Sequence, residues 1–510
     1  MSRRVRAPSG AGPHSVRHCP TLEGTDRGVT ETGYDLVIRG GTVATAADVM
    51  EADIAISGEE IVAIGRELGP GRREIDACGR LVLPGGVDPH CHIEQLSANG
   101  LLNADTFESA TTAAAFGGTT TVISFAAQHI GTRLASVVED YHELARRGAV
   151  IDHAFHLIIT DPTEETLAVD VPDLVRTGHS SLKVFMTYDR LRVNDETLLD
   201  VLWTARKNRA FVCVHAENHG MIAWMGKRLV ERGMTAPKFH APSHPRASEA
   251  EAIDRLAAAS AMLDQPVMVF HVSTAEGAAA VRRARGQGIK IFAETCPQYL
   301  FLTAADLDRP GLEGAGWICS PPLREASDQE ALWRALELGD LQVVSSDHAP
   351  YNLDERGKFS EGPRPSFKAI ANGMPGVELR LPLLFDAMVS KGRLGLSKFV
   401  ELTATAPARI YNLPGKGSIA VGADADIAIW NPDREVTIED TTTHDRTGYT
   451  PYVGRTVRGW PETVLSRGRV IVEDGRLDAE PGSGRFLPRD AGEAARPLGQ
   501  PAPEIALLME

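Results

Sequence analysis

Six residues of types that bind metal ions stand at the ends of five apolar segments along the chain. Imidazole nitrogens and carboxylate oxygens are common ligands of zinc. In a parallel barrel the C-terminal ends of all strands meet at one rim, so ligands placed there would surround one point. The pattern therefore predicts an enzymatic barrel with a metal centre. The six residues are His90, His92, Lys183, His215, His271 and Asp347.

The first two ligands form a His-x-His pair. Residues i and i+2 of a strand point to the same side, so His90 and His92 can bind one ion together. Alone, such a pair is a weak signal, because most isolated pairs in soluble proteins bind no metal. Here the pair ends an apolar strand and follows Pro84-Gly85-Gly86, which breaks the regular strand.

Lys183 lies in the middle of the apolar segment SSLKVFMTY. A buried ammonium without a partner is costly. One interpretation is an edge lysine that snorkels to water. The other is an amine that has reacted with CO2, which removes the positive charge and creates an anionic ligand with two oxygens. We favour the carbamate, since it removes the buried positive charge; it can also bridge two metal ions.

The remaining three candidates also have simpler explanations when taken singly. His215 and His271 could be core histidines, and Asp347 could cap a helix. As members of one series they are better explained as metal ligands, with Asp347 also accepting a proton. The set predicts a binuclear centre with zinc as the default ion, although cobalt, manganese and iron would tolerate the same donors.

The elements that must position these residues alternate between apolar runs and amphipathic helices over residues 85–412. Eight such runs fit an α/β fold, a (β/α)8 TIM-like barrel. A doubly wound sheet is the alternative, but it would not gather five strand ends around one point. Among the predicted helices, the one that includes residues 248–263 opens with Ser248 and Glu251, the pattern of a capping box.

Both ends of the chain alternate apolar and polar residues in short pieces. This pattern is typical of antiparallel sheet and returns at residues 34–84 and 413–475, which predicts one small β-sandwich domain built from both ends. Residues 1–33 are predicted to be a disordered arm. Residues 476–510 are predicted to form an arm that is disordered or lies across a neighbouring subunit.

Composition excludes several classes of partner. The net charge is −15 and no basic stripe is present, which argues against nucleic acid and anionic membranes. The six cysteines are dispersed without a C-x-x-C pair, and several lie in apolar runs. Buried free thiols in the cytoplasm are therefore expected.

The order His-x-His, Lys, His, His, Asp resembles the amidohydrolase superfamily, in its cyclic amidohydrolase branch. The strongest likeness is to bacterial hydantoinases and dihydropyrimidinases, and it extends over residues 34–475. The motifs that carry it are GGVDPHCHIE, SLKVFMTY, VHAEN, HVST, SPPLRE, SSDHAPYN and GKGSIAVGADADIAIWNP.

The resemblance implies a hydrolase that opens the cyclic amide bond of hydantoins or dihydropyrimidines to give N-carbamoyl amino acids. Two divalent ions, most simply Zn²⁺, would be bridged by the carbamate of Lys183 and by a hydroxide. The more buried ion would be held by His90 and His92 with Asp347, and the more exposed one by His215 and His271. A homotetramer or homodimer is also implied.

The same resemblance assigns the substrate-binding residues. Tyr188, a few residues past the lysine, would polarise the scissile carbonyl. Ser320 in the S-P-P motif and Asn372 in ANGMPGVE would bind the ring amide through backbone groups.

Other members of the superfamily are the alternatives. Dihydroorotases carry an arginine two residues after the second histidine, where this chain has Glu94. Allantoinases and other cyclic ureide or imide hydrolases remain open, as does a mononuclear deaminase-type barrel, which would not need the strand lysine. Metal-free scaffold paralogues, such as the collapsin response mediator proteins, have lost ligands that this chain keeps.

Overall fold

The structure is a computed structural model that describes residues 33–97 and 99–508. The predicted N-terminal arm lies outside the described residues except for Gly33. Ranges of the strands are β1 Tyr34–Ala44, β2 Val49–Ser57, β3 Glu60–Gly65, β4 Gly71–Asp76, β5 Leu81–Pro84, β6 Gly86–Asp88, β7 Thr119–Ala127, β8 Asp152–Ile158, β9 Ser181–Phe185, β10 Phe211–His215, β11 Val267–Val269, β12 Ile291–Thr295, β13 Val343–Val344, β14 Ile427–Thr437, β15 Thr456–Ser466, β16 Arg469–Glu473 and β17 Arg476–Leu477.

The α-helices lie mainly between the barrel strands and after them. Their ranges are α1 Phe107–Phe116, α2 Leu134–Gly148, α3 Val171–Arg176, α4 Asp195–Asn208, α5 His219–Glu231, α6 His240–Ser243, α7 Arg246–Leu263, α8 Ala275–Gly286, α9 Pro297–Phe301, α10 Ala326–Leu338, α11 Arg380–Phe385, α12 Leu396–Val400, α13 Ala406–Ile410 and α14 Pro503–Ala506.

Strands β6 to β13 form one parallel sheet in chain order. Each lies within one of the eight apolar runs seen in the sequence, so the barrel prediction is confirmed. The first and last strands approach each other at their C-terminal ends, where Cys91 and His348 form a parallel bridge. The Asp88 carboxylate also accepts a hydrogen bond from the Ser346 N–H at 3.0 Å across this seam. Continuously apolar strands suit this fold because helices cover their outer face.

The two ends of the chain meet in a second, nine-stranded mixed sheet. Its order is β17-β16-β15-β14-β5-β1-β2-β3, with β4 paired to β1. The junction is the antiparallel pairing of β5 with β14, in which Leu81 lies opposite Trp430. The sheet closes over its own apolar core, which includes Ile38, Ile54 and Ile427. The prediction of a β-sandwich from both ends is confirmed.

A buried lysine joins the sandwich to the barrel. The Lys416 ammonium lies 2.6 Å from Asp152 at the start of β8, 2.8 Å from Asp426 before β14, and 2.9 Å from Asp424. Lys416, Asp152 and Asp426 are almost fully buried. The Arg467 guanidinium, 3.1 Å from Asp152, adds a second positive charge. The buried carboxylates thus have cationic partners inside the protein, which is the condition under which buried ions are tolerated.

The C-terminal arm does not behave as predicted. It lies along its own barrel: Arg485 and Leu487 exchange backbone hydrogen bonds with His153. The buried Arg489 guanidinium donates to the Phe155 carbonyl at 2.6 Å. The prediction weighed only the Pro- and Gly-rich composition, whereas apolar and guanidinium contacts to the barrel order this segment.

The capping-box prediction for α7 is wrong. The helix begins two residues earlier, after Pro245, so Ser248 lies within it and caps nothing. Glu251 instead accepts a hydrogen bond from the Asn218 side chain at 2.6 Å. Proline before the first turn already ends the preceding extended segment, which makes the serine unnecessary as a start signal.

The cysteine prediction holds at four positions and fails at one. Cys91, Cys213, Cys296 and Cys319 are buried free thiols. Cys78 is instead disulfide-bonded. Cys19 lies outside the described residues. Over the part of the chain that the structure describes, the helices are too short or too polar to cross a bilayer.

We predict that Lys416→Met destabilises the protein by about 3–5 kcal/mol, because Asp424 and Asp426 would lose their buried counter-ion and Asp152 would keep only Arg467. Urea unfolding followed by circular dichroism measures the change. Lys391→Met is the matched control, since Lys391 pairs with Asp386 but its side chain is 67% exposed. The control should cost at most about 1 kcal/mol. Equal effects of the two substitutions would contradict the role given to Lys416.

Candidate active site

A cavity of about 770 Å³ opens at the C-terminal rim of the barrel. Strand ends β9 and β10 and the residues that follow β6, β11 and β13 reach into it. The nine residues singled out from the sequence all line this one cavity: His90, His92, Lys183, Tyr188, His215, His271, Ser320, Asp347 and Asn372. The structure therefore brings together side chains that lie far apart along the chain.

The first histidine pair faces Asp347. The Asp347 Oδ1 atom lies 3.1 Å from His90 Nε2 and 3.4 Å from His92 Nε2. One donor atom from each of the three residues falls within 4.8 Å of the others, which suits a divalent cation. Two nitrogens and a carboxylate oxygen are a donor set that zinc accepts.

Each imidazole of this pair is held through its other nitrogen. His90 Nδ1 donates to Glu294 Oε1 at 2.5 Å, and His92 Nδ1 donates to Gln95 Oε1 at 2.7 Å. These contacts fix the rings with Nε2 turned toward Asp347. Partners of this kind orient metal-binding histidines and select their tautomer.

The second histidine pair lies beside the first. The rings of His215 and His271 are 4.4 Å apart, and the ring of His271 is 5.4 Å from that of His90. His215 Nε2 donates to the buried Glu217 carboxylate at 2.8 Å, which leaves Nδ1 for another partner. The buried Nδ1 of His271 has no hydrogen-bond partner among the described residues.

Lys183 lines the same cavity as the two pairs and is 1% exposed. Its amine has no hydrogen-bond partner within the described ranges. It sits 4.1 Å from the ring centre of Phe270 and 4.6 Å from that of Phe185. Burial lowers the pKa of the amine to about 7. A neutral amine is the form that can attack CO2.

The charge balance of the site favours a cation. Burial acts to lower the pKa of His90, but the carboxylates of Asp347 and Glu294 raise it to about 9. Burial likewise acts to raise the pKa of Asp347, yet His90 and His92 hold it well below its ordinary range. The carboxylates thus raise the pKa of His90 and the imidazoles lower that of Asp347, as expected for opposite charges that are paired in a buried site.

The three residues expected to bind substrate form a second group in the cavity. The side chains of Ser320 and Asn372 lie near the Tyr188 hydroxyl and act to lower its pKa. Burial raises the pKa of Tyr188, so the phenol keeps its proton and can donate. Ser320 also donates to Glu217 at 3.3 Å, which links this group to His215.

Several site residues have strained backbones that the sequence did not reveal. Tyr188, His271 and Asp347 have φ values of 75°, 41° and 48°, in the left-handed region that non-glycine residues seldom adopt. Strain of this kind persists only where surrounding structure holds it, and it concentrates at functional sites.

The sequence analysis also missed the residues that support the ligands. Glu217 stands two residues after His215 in VHAEN, and Glu294 ends the apolar run IKIFAET. Charged residues inside such runs were the available signal. His244 was not expected at the site, yet it lines the cavity and donates from Nδ1 to Glu217 at 2.9 Å.

Comparisons with known proteins identify the family of this chain. The model of the amidohydrolase family matches residues 81–471. D-hydantoinases of Ralstonia pickettii and Rhizobium radiobacter are 44% and 43% identical over 460 residues, which is 89% of this chain and 99% of each relative. The crystal structure of dihydropyrimidinase from Brevibacillus agri is similar with a TM-score of 0.86 at 41% identity, and the match covers 89% of this chain and 99% of that one. The chain therefore belongs to the amidohydrolase family.

Proposed function

We propose that this protein is a metal-dependent hydrolase that opens the ring amide of hydantoins or dihydropyrimidines to give N-carbamoyl amino acids. The observation that carries the proposal is the single cavity in which six ligand-type residues meet Tyr188, Ser320 and Asn372. Relatives that carry the names D-hydantoinase and dihydropyrimidinase over nearly their full length support the substrate class.

The residues at the site fit two divalent ions. His90, His92 and Asp347 would hold one, and His215 with His271 the other, since the buried nitrogen of His271 otherwise has no partner in the described residues. We propose zinc as the ion. When bound, such a pair lowers the pKa of water so that it attacks near neutral pH, and it polarises the carbonyl.

We further propose that Lys183 carries a carbamate. Its neutral amine attacks the carbon of CO2, a nitrogen–carbon bond forms, and one proton is released. The product would be an anion in place of a buried amine, and it would supply two oxygens as ligands for the ions. The buried, unpartnered amine supports this step.

We also propose that the enzyme works in the cytoplasm as a homodimer or homotetramer.

Asp347 is the residue placed to move the proton. It lies between the histidine pair and the open cavity, and His90 and His92 keep it ionised. It takes a proton from the attacking water and passes it to the ring nitrogen as the carbon–nitrogen bond breaks. Water supplies the hydroxyl of the new carboxylate, so the atoms balance.

Tyr188 is placed to stabilise the carbonyl oxygen as negative charge develops on it. Its phenol stays protonated at neutral pH, so it donates a hydrogen bond. Ser320 and Asn372 lie beside it and would orient the ring amide through their backbone groups. A donor that is already in place when the charge appears costs no reorganisation.

We predict that zinc-loaded protein opens dihydrouracil, a 5-substituted hydantoin, or both, seen as loss of ring absorbance and appearance of the N-carbamoyl amino acid. Dihydroorotate serves as a control because Glu94 stands where an arginine would be needed to bind its carboxylate. Allantoin, a cyclic ureide without a carboxylate, tests the alternative of an allantoinase. Turnover of a control alone would redirect the substrate class. If every ring survives in protein that holds its metal, the proposed function is wrong.

We expect Lys183→Ala to lose bound metal and activity, because the bridging anion can no longer form. Metal content is measured by mass spectrometry and turnover by ring absorbance. A short carboxylic acid such as propionate should restore part of both. Lys207→Ala is the control, since Lys207 lies exposed over Trp203 on α4. Full metal content and turnover in the Lys183 variant would refute the carbamate.

Tyr188→Phe should lower kcat by about 10²–10³-fold, the usual loss when an oxyanion donor is removed. The metal content should not change, because the tyrosine is not a ligand. Steady-state kinetics with metal quantified in the same sample gives the answer. An unchanged kcat would remove Tyr188 from the mechanism.

A further inference from the structure

Lys358 is a second fully buried lysine, and it lies outside the ligand set. Its side chain is 0% exposed and has no carboxylate partner in the part of the chain that the structure describes. Instead its amine donates to two backbone carbonyls, those of Ile318 at 2.9 Å and Ala371 at 2.8 Å. A charged residue in such a place is rare unless a specific interaction holds it there.

These two carbonyls belong to the segments that carry the substrate-binding residues. Ile318 stands two residues before Ser320, and Ala371 directly precedes Asn372. The Ile318 carbonyl also accepts from the Gly373 N–H at 3.0 Å, so the two segments are already neighbours. Lys358 therefore links the two segments to each other, and it is not among the residues that line the cavity.

The contact with Ala371 also fixes the direction of a donor. The Ala371 carbonyl and the Asn372 N–H belong to one trans peptide group, in which the two bonds point in opposite directions. Since the carbonyl points at Lys358, the N–H points the other way. The Asn372 N–H has no backbone or side-chain acceptor within residues 33–97 and 99–508, and Asn372 lines the cavity.

We propose that Lys358 is a positioning residue that turns the Ala371–Asn372 peptide so that its N–H binds the ring carbonyl that is not cleaved. The inference rests on the proposed function and deepens it, because it identifies the residue that orients the Asn372 backbone group. The amine next to the carbonyl also polarises the peptide group, and this strengthens its N–H as a donor.

The contact does not depend on the charge of the amine. Burial lowers the pKa of Lys358 to about 7, so both forms are present near neutral pH. The neutral amine still has two N–H bonds, which is the number that its two carbonyl acceptors require. The cross-link therefore persists in either form.

The test compares oxygen and sulfur at the carbonyl that is not cleaved. Dihydrouracil and 2-thiodihydrouracil differ only at this atom, and sulfur is the weaker acceptor. In the unaltered enzyme we expect sulfur to raise KM about tenfold, the effect of one hydrogen bond. Lys358→Met should raise KM for dihydrouracil by a similar factor and reduce the sulfur effect to less than about threefold.

Two further measurements separate positioning from a purely structural role. The metal content of Lys358→Met should equal that of the unaltered enzyme, and its kcat should change less than its KM. Lys358→Gln keeps an N–H donor and covers the case in which the methionine variant does not fold; it should retain most of the sulfur effect. Lys238→Met is the control, since Lys238 pairs with Asp308 at the surface.

An unchanged KM for dihydrouracil in Lys358→Met, or an undiminished sulfur effect in that variant, would overturn the inference. An equal loss of kcat and bound metal without a KM change would also overturn it. Failure of the unaltered enzyme to open either ring would instead count against the proposed function.

Discussion

An amine buried at the centre of an apolar barrel is the constraint around which this site is organised. Taking an ammonium out of water costs several kcal/mol unless an opposite charge or a change of protonation compensates for it. Two aromatic rings contact the amine of Lys183. Histidines line the same cavity, and buried carboxylates accept hydrogen bonds from two of them. The proposed carbamate on Lys183 would remove this cost, and it would explain both the burial of the lysine and the donor set around it.

The supporting carboxylates and amides select which nitrogen each imidazole presents. His90 and His92 are held through Nδ1, whereas His215 is held through Nε2. The two pairs thus approach the centre of the cavity with different ring nitrogens. Glu217 adds a second link, because the same carboxylate accepts from His215, His244 and Ser320. A proposed metal ligand and a proposed substrate-binding residue consequently share one buried anion, so a displacement of either one would shift the other.

Much of this architecture was predictable from the sequence because two strong periodic signals coincide. Continuous apolar runs marked all eight barrel strands, and the residues at their ends defined the site. The failures have local causes. Ser248 had the right neighbours for a helix cap, but Pro245 set the start of α7 earlier. The positive φ values of His271 and Asp347 depend on tertiary contacts and leave no trace in residue type. The buried position of Lys358 could not be predicted, because its loop has no periodicity and its acceptors are backbone atoms that no sequence motif encodes.

The pairing of β5 with β14 has a consequence for how the chain acquires its fold. Strands β1 to β5 leave the ribosome first, yet the edge of β5 is covered only when β14 arrives after the whole barrel has been made. During synthesis this edge is open to pairing with other chains. Contacts between such distant segments also form slowly, because the entropy cost of closing a long loop comes before the contacts contribute any stabilisation. Production of the protein should therefore depend on translation speed and on chaperones that shield the early strands until the last ones emerge.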